Sequence, residues 1–225
     1  MPFTAFRETE TKGRKSGRMS VSERHALDTI LPMVRLSPDS LINKREIFGR
    51  EAPVFLEIGF GCGTFLSEKA LNTPENDFIG VEIYKPGIAK LLKTLVNSED
   101  PENLHINNVR IFNHNARHVL MDNIPYNYLD GAYILFPDPW PKTRHHKRRL
   151  IDPDFTTLLS SRLKPEGFVI VGTDHQEYAR EIEHAFDSAG FTIDAKGVPD
   201  ALKTAFALKA LKKKRVIKTY KFIRQ

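Results

Sequence analysis

Two segments of this chain carry residues whose type and spacing could do chemistry. The first is Gly59-Phe60-Gly61-Cys62-Gly63, which follows the apolar run Val54-Phe55-Leu56-Glu57-Ile58. Alternating glycines let a chain turn sharply and bring its backbone close to a ligand. Such a turn can receive a phosphate, a ribose or an adenosine edge. The spacing differs from the Gly-x-Gly-x-x-Gly of dinucleotide sites, and no Gly-Lys-Ser/Thr follows as in a phosphate-binding P-loop. Glu82 closes the next apolar run, 19 residues after Gly63. A carboxylate placed there can accept hydrogen bonds from both hydroxyls of a ribose. Glu57 lies inside an apolar run, where an unpaired carboxylate is costly to bury. It therefore calls for a cationic ligand group, or else for bonds from backbone amides. Asn115, in His114-Asn115-Ala116, has an amide that can donate to and accept from an adenine edge. It could equally be an ordinary loop residue. The single cysteine, Cys62, has no visible activating partner and reads as a small structural residue of the turn.

The second segment is Phe136-Pro137-Asp138-Pro139-Trp140-Pro141-Lys142. Three prolines fix the backbone around Asp138 and Trp140. A carboxylate and a flat aromatic held in this way could meet a planar base. The alternative is a stiff surface loop. Thr143-Arg144-His145-His146-Lys147-Arg148-Arg149 follows directly and offers a cationic track to phosphates. The adjacent His145 and His146 are poorly spaced for a zinc site, and no cysteine assists them. Further on, Asp174 could accept from a paired donor edge such as a guanine presents, or cap the helix that begins near His175.

These residues need elements to hold them. Residues 53–59, 77–83, 109–113, 130–136 and 167–173 read as short buried strands. Helical spacing occupies residues 64–71, with Thr64 as a plausible cap, and residues 85–96, 152–163 and 175–189. This alternation predicts an α/β domain with a mostly parallel sheet covered on both faces. Residues 191–196 and 216–223 read as a late antiparallel pair at one edge. Ahead of the first strand, residues 21–36 read as one amphipathic helix and 37–52 as a connector. Residues 1–20 read as a flexible basic arm, and 21–225 as a single domain. In a doubly wound sheet, the carboxyl ends of the strands line the ligand crevice. Both chemical segments begin at such ends.

The chain has 225 residues and a formal charge of +6. Residues 1–25, 142–149 and 209–225 together hold nineteen Lys/Arg against three Glu, a net +16, so the remainder is net −10. An acidic body with basic segments predicts a polyanionic partner. No apolar run approaches the ~18 residues of a membrane helix. The first residues lack the apolar stretch of a secretion signal, so the expectation is a cytoplasmic protein without a membrane partner. Either a monomer or a homodimer fits.

LEIGFGCG, FIGVEI, FPDPWPKTRHHKRR and GTDHQEYA, in this order and spacing, resemble the bacterial tRNA (guanine-N7-)-methyltransferases. The similarity runs from about Gly17 to the C-terminus, and FPDPWPK with its basic tail is its most specific part. The resemblance implies a class I, Rossmann-like fold with S-adenosylmethionine as donor and no metal. It implies methyl transfer to guanine N7 in the variable loop of tRNA. It places Glu57, Gly59, Gly61, Gly63, Glu82, Asn115 and Asp138 at the donor, with Asp138 the catalytic position. Lys142, Arg144, Asp174 and Thr204 would face the substrate. Two departures stand out. Asn115 occupies a position where the family often has Asp. Ala207 occupies the Glu position of a late Thr-x-Phe/Tyr-Glu motif, and it cannot bind a base edge. A methyltransferase for a protein or small molecule would not need the basic segments. A non-catalytic RNA-binding protein with a vestigial donor site would bind RNA without transferring methyl. A nicotinamide-dependent oxidoreductase fits the turn spacing least well.

Overall fold

The computed structural model describes residues 19–97, 100–194 and 204–225. The basic arm thus lies outside the described residues except at its end, and so do residues 195–203. The chain opens with α1 (Val21–Thr29), started by a capping box in which Ser20 and Glu23 each accept from the other's amide. The expected single helix over 21–36 is interrupted. Pro32 opens a second short helix, α2 (Leu31–Val34), because proline fits only a first turn. The connector contains α3 (Lys44–Phe48), capped by Asn43 and ended by left-handed Gly49. Then come β1 (Val54–Ile58), α4 (Thr64–Asn72), β2 (Asp77–Val81) and α5 (Lys85–Leu95). Thr64 is the first helical residue rather than the cap, which is Gly63.

A small hairpin, β3 (Val96–Asn97) and β4 (Asp100–Leu104), precedes β5 (Val109–Phe112). Next are α6 (Ala116–His118) with a π-helical turn, β6 (Leu129–Leu135), and a 3-10 turn over Thr143–Arg148. The chain continues with α7 (Pro153–Arg162), β7 (Leu163–Thr173), α8 (Gln176–Ser188), β8 (Phe191–Ile193), α9 (Ala205–Lys212) and β9 (Lys218–Arg224).

Seven strands form one sheet in the order β5-β2-β1-β6-β7-β9-β8. The first five are parallel, and β9 runs antiparallel to both β7 and β8. The late pair is therefore present, with β9 lying between β7 and the edge strand β8. Central strands β1, β2 and β6 are buried almost throughout, as expected of strands covered on both faces. One core packs α7, α8 and the turn after α6 against the sheet. The other packs α1, α4 and α5 against the opposite face. No helix among the described residues is long and apolar enough to cross a membrane. From β1 the chain crosses to β2 on one side, while β6 lies on the other. This reversal of winding opens a crevice at the carboxyl ends of β1 and β6.

Candidate active site

The three turn glycines all have left-handed backbones, with φ of 73°, 58° and 72° at Gly59, Gly61 and Gly63. At Gly63 a Cβ would also lie 2.6 Å from the Leu91 side chain on α5. A fourth glycine, missed from the sequence, completes the turn. A Cβ at Gly87, in the first turn of α5, would lie 2.3 Å from the Gly61 carbonyl oxygen. Its signal was the Pro-Gly pair at residues 86–87, just after Glu82.

Glu82 ties this turn together. Its carboxylate accepts from the amides of Gly61 (2.9 Å), Ile83 (2.7 Å) and Tyr84 (2.8 Å). A carboxylate has about four acceptor positions, so a ribose would share it with the backbone. Asn113 donates to the Glu82 carbonyl at 2.8 Å, which joins the end of β5 to the same knot. Asn115, beyond it, caps α6 by accepting from the Arg117 amide at 2.8 Å.

Glu57 is 4% exposed, and its Oε2 has no hydrogen-bond partner. Among the described residues no backbone amide answers that oxygen, so the cationic-ligand reading gains over the amide reading. Burial raises this carboxyl to about 8, and the neighbouring Glu82 carboxylate adds to the rise. A positive ligand group at this oxygen would reverse both effects. The donor set thus fits the ammonium and ribose ends of S-adenosylmethionine.

Across the crevice, β6 ends at Leu135, and the amide of the next residue, Phe136, donates to the Gly172 carbonyl at 2.7 Å. Phe136 and Trp140 adopt left-handed φ of 58° and 42°. Each costs about 1–3 kcal/mol for a side chain bearing a Cβ. Asp138 sits between them, exposed, with no described hydrogen-bond or ion-pair partner among the described residues. Arg148 lies over the Trp140 ring at 5.0 Å, and His145 meets the ring edge-on at 5.9 Å. Desolvation and the cations Arg148, Arg144 and Lys142 push the His145 pKa down. Lys142 and Arg144 are exposed, but Arg149 is not. Its guanidinium turns inward to Glu181 (2.5 Å) and Glu177 (3.5 Å) on α8. His146 joins these two carboxylates in the one group that could hold a metal among the described residues. Arg149 supplies the cation that those carboxylates face.

Asp174 follows β7 on the same sheet end. It does not cap α8; that role falls to His175, whose Nδ1 accepts from the Tyr178 amide. Asp174 instead pairs with Arg215 at 2.7 Å. Arg215 went unremarked in the sequence because one cation in a lysine-rich tail carries no distinguishing signal. Thr204 is 8% exposed and caps α9, accepting from the Ala207 amide at 3.0 Å. Ala207 is fully buried. The carboxyl ends of β1, β2, β5, β6 and β7 therefore bring the glycine turn, Glu82, Asn115, Asp138 and Asp174 to one side of the sheet.

Solved structures share this architecture. An antibiotic-related methyltransferase has a TM-score of 0.58 at 21% identity, covering 84% of this chain and 94% of its own. The 16S rRNA methyltransferase KamB has a TM-score of 0.60 at 12% identity, covering 80% and 92%. The fold is that of class I S-adenosylmethionine-dependent methyltransferases, and residues 51–217 match a family described as putative methyltransferase. Among curated relatives, tRNA (guanine-N(7)-)-methyltransferase of Nitrosospira multiformis is 43% identical over 75% of this chain and 71% of its own. The protein of the same name from Nitrosomonas europaea is 43% identical over 77% and 75%. That from Nitrosococcus oceani is 43% identical over 84% and 76%. This chain belongs to the tRNA (guanine-N7-)-methyltransferase family.

Proposed function

We infer that this chain transfers a methyl group from S-adenosylmethionine to N7 of guanine in the variable loop of tRNA. The observation that carries this reading is 43% identity, over most of the chain, to relatives named for that reaction. The site geometry supports it. Residues 21–225 act as one methyltransferase domain, working in the cytoplasm as a monomer or homodimer.

The donor supplies an electrophilic methyl on a sulfonium. Guanine N7 carries a free lone pair, so the chain need not remove a proton. As the N7–methyl bond forms, the sulfur–methyl bond breaks and positive charge passes from sulfur to the purine. The protein's task is to hold N7 in line at near-attack distance. Glu57 and Glu82 anchor the two ends of the donor, with Asn115 at its adenine. Asp138 orients the base and opposes the charge that develops on it. Asp174 accepts from the guanine donor edge once Arg215 turns toward phosphate. Lys142 and Arg144 take phosphates along the rim, and Thr204 acts on the substrate side by fixing the start of α9. Nothing in this transfer requires a metal.

Incubation with labelled S-adenosylmethionine and bulk tRNA, followed by nucleoside analysis, tests the reading. The expected product is 7-methylguanosine, reduced at least a hundredfold with Asp138→Ala. Binding of tRNA without methyl uptake would overturn it in favour of a vestigial donor site. Label in a different nucleoside would overturn the assignment to N7.

A further inference from the structure

The loop bearing Asp138 cannot fasten itself. Prolines 137, 139 and 141 have no amide hydrogen, so the loop offers mainly acceptors and needs a donor from elsewhere. Arg149 provides one. Its Nε donates to the Pro139 carbonyl at 2.8 Å, the only described hydrogen bond reaching residues 137–141 among the described residues. The Arg149 side chain is 2% exposed and lies over the ring of fully buried Tyr178, 5.0 Å from its centroid. The Tyr178 hydroxyl in turn accepts from the Ile151 amide at 3.0 Å. Glu177 and Glu181 neutralise the buried guanidinium from α8. An apolar residue could fill the same space without the desolvation penalty of a charge. It could neither pair with Glu177 and Glu181 nor donate to Pro139.

We propose that Arg149 is a positioning residue for methyl transfer. It clamps the Pro139 carbonyl to α8 and so holds Asp138, between two left-handed aromatic residues, at the reacting base. The proposal rests on the reading of Asp138 as the group that meets the base. Four proteins separate the two ideas: the wild type, Asp138→Ala, Arg149→Lys and the double variant. Lysine keeps a positive charge toward Glu177 and Glu181 but lacks the fixed fork by which separate guanidinium nitrogens reach them and Pro139. Single-turnover methyl transfer to tRNA is measured alongside donor and tRNA dissociation constants and thermal midpoint.

Arg149→Lys should lower the transfer rate about 100-fold, the scale expected of a misplacement near 1 Å. Both dissociation constants should stay within about threefold. The double variant should be no slower than Asp138→Ala alone, because a displaced loop costs nothing once its carboxylate is gone. A wild-type rate in folded Arg149→Lys overturns the clamp. So do losses that multiply in the double variant, which would mark a structural effect elsewhere. If Arg149→Lys unfolds, Arg149→Gln, which keeps a neutral donor, replaces it under the same criteria. A wild-type rate for Asp138→Ala overturns the reading of Asp138 instead, whatever Arg149→Lys shows.

Discussion

Replacing Glu57 by glutamine should stabilise the ligand-free protein while weakening its hold on the donor. The wild-type carboxyl has an ordinary value of 4.5 and is raised to about 8 in the fold by burial and by Glu82. Its sign is opposite to that of a salt-bridged carboxylate. Above pH 4.5 the unfolded chain ionises at this position, while the folded chain keeps its proton until about pH 8. Each pH unit between those values therefore costs the folded state about 1.4 kcal/mol. The penalty reaches about 5 kcal/mol near pH 8 and then levels off. Glutamine carries no such penalty. Urea unfolding of both proteins at pH 5 and pH 8.5 should show a stability gap several kcal/mol wider at the higher pH. Donor affinity should move the other way. Binding a cationic group ionises Glu57 and releases a proton, so wild-type affinity rises with pH by up to about tenfold per unit below 8. The glutamine variant should bind weakly and lose that slope. An identical pH dependence of stability in the two proteins would refute the picture of an unpaired buried carboxyl.

Three further outcomes follow from the geometry. Gly87→Ala puts a methyl 2.3 Å from the Gly61 carbonyl, so the turn must shift. A loss of about 1–3 kcal/mol in unfolding free energy is expected, together with weaker donor binding in a calorimetric titration. Thr204→Ala removes the cap on the Ala207 amide and should cost about 1 kcal/mol, or a fall of about 2–4 °C in thermal midpoint, restored by Thr204→Ser. Neutralising Lys142 and Arg144 to Gln should weaken tRNA binding across sequences and flatten the log-affinity versus log-salt slope by about one per cation. A slope unchanged from wild type would remove both residues from the phosphate track.

The parallel body of the fold was legible because its central strands β1, β2 and β6 are short apolar runs buried on both faces. Glu57 stood out for the same reason, as a charge inside such a run. Helix α3 was missed although Asn43 and Gly49 flank it, because five residues are too few to show a helical period. Helix α9 was missed because its eight residues are too few for a clear period and run directly into the lysines of the basic tail. The role of Arg149 was hidden most completely. Five cations share residues 142–149, and nothing local says which one turns inward. That choice is made by Glu177 and Glu181, 28 and 32 residues downstream on α8. Asp174 met the same limit, since its partner Arg215 comes from the segment entering β9, 41 residues later.

The reversal of β9 has a consequence for how such an enzyme can be retargeted. Because β9 runs antiparallel to β7, it begins where β7 ends, with Lys218 beside Thr173. The chain entering β9 therefore arrives at the donor crevice, bringing Arg215 to Asp174 and the Val216 carbonyl to Gln176. Had β9 been parallel, its leading segment would reach the opposite rim. Residues 215–217 therefore sit at that rim outside the strand ladder, and a change of charge there leaves the register of β7 with β9 untouched.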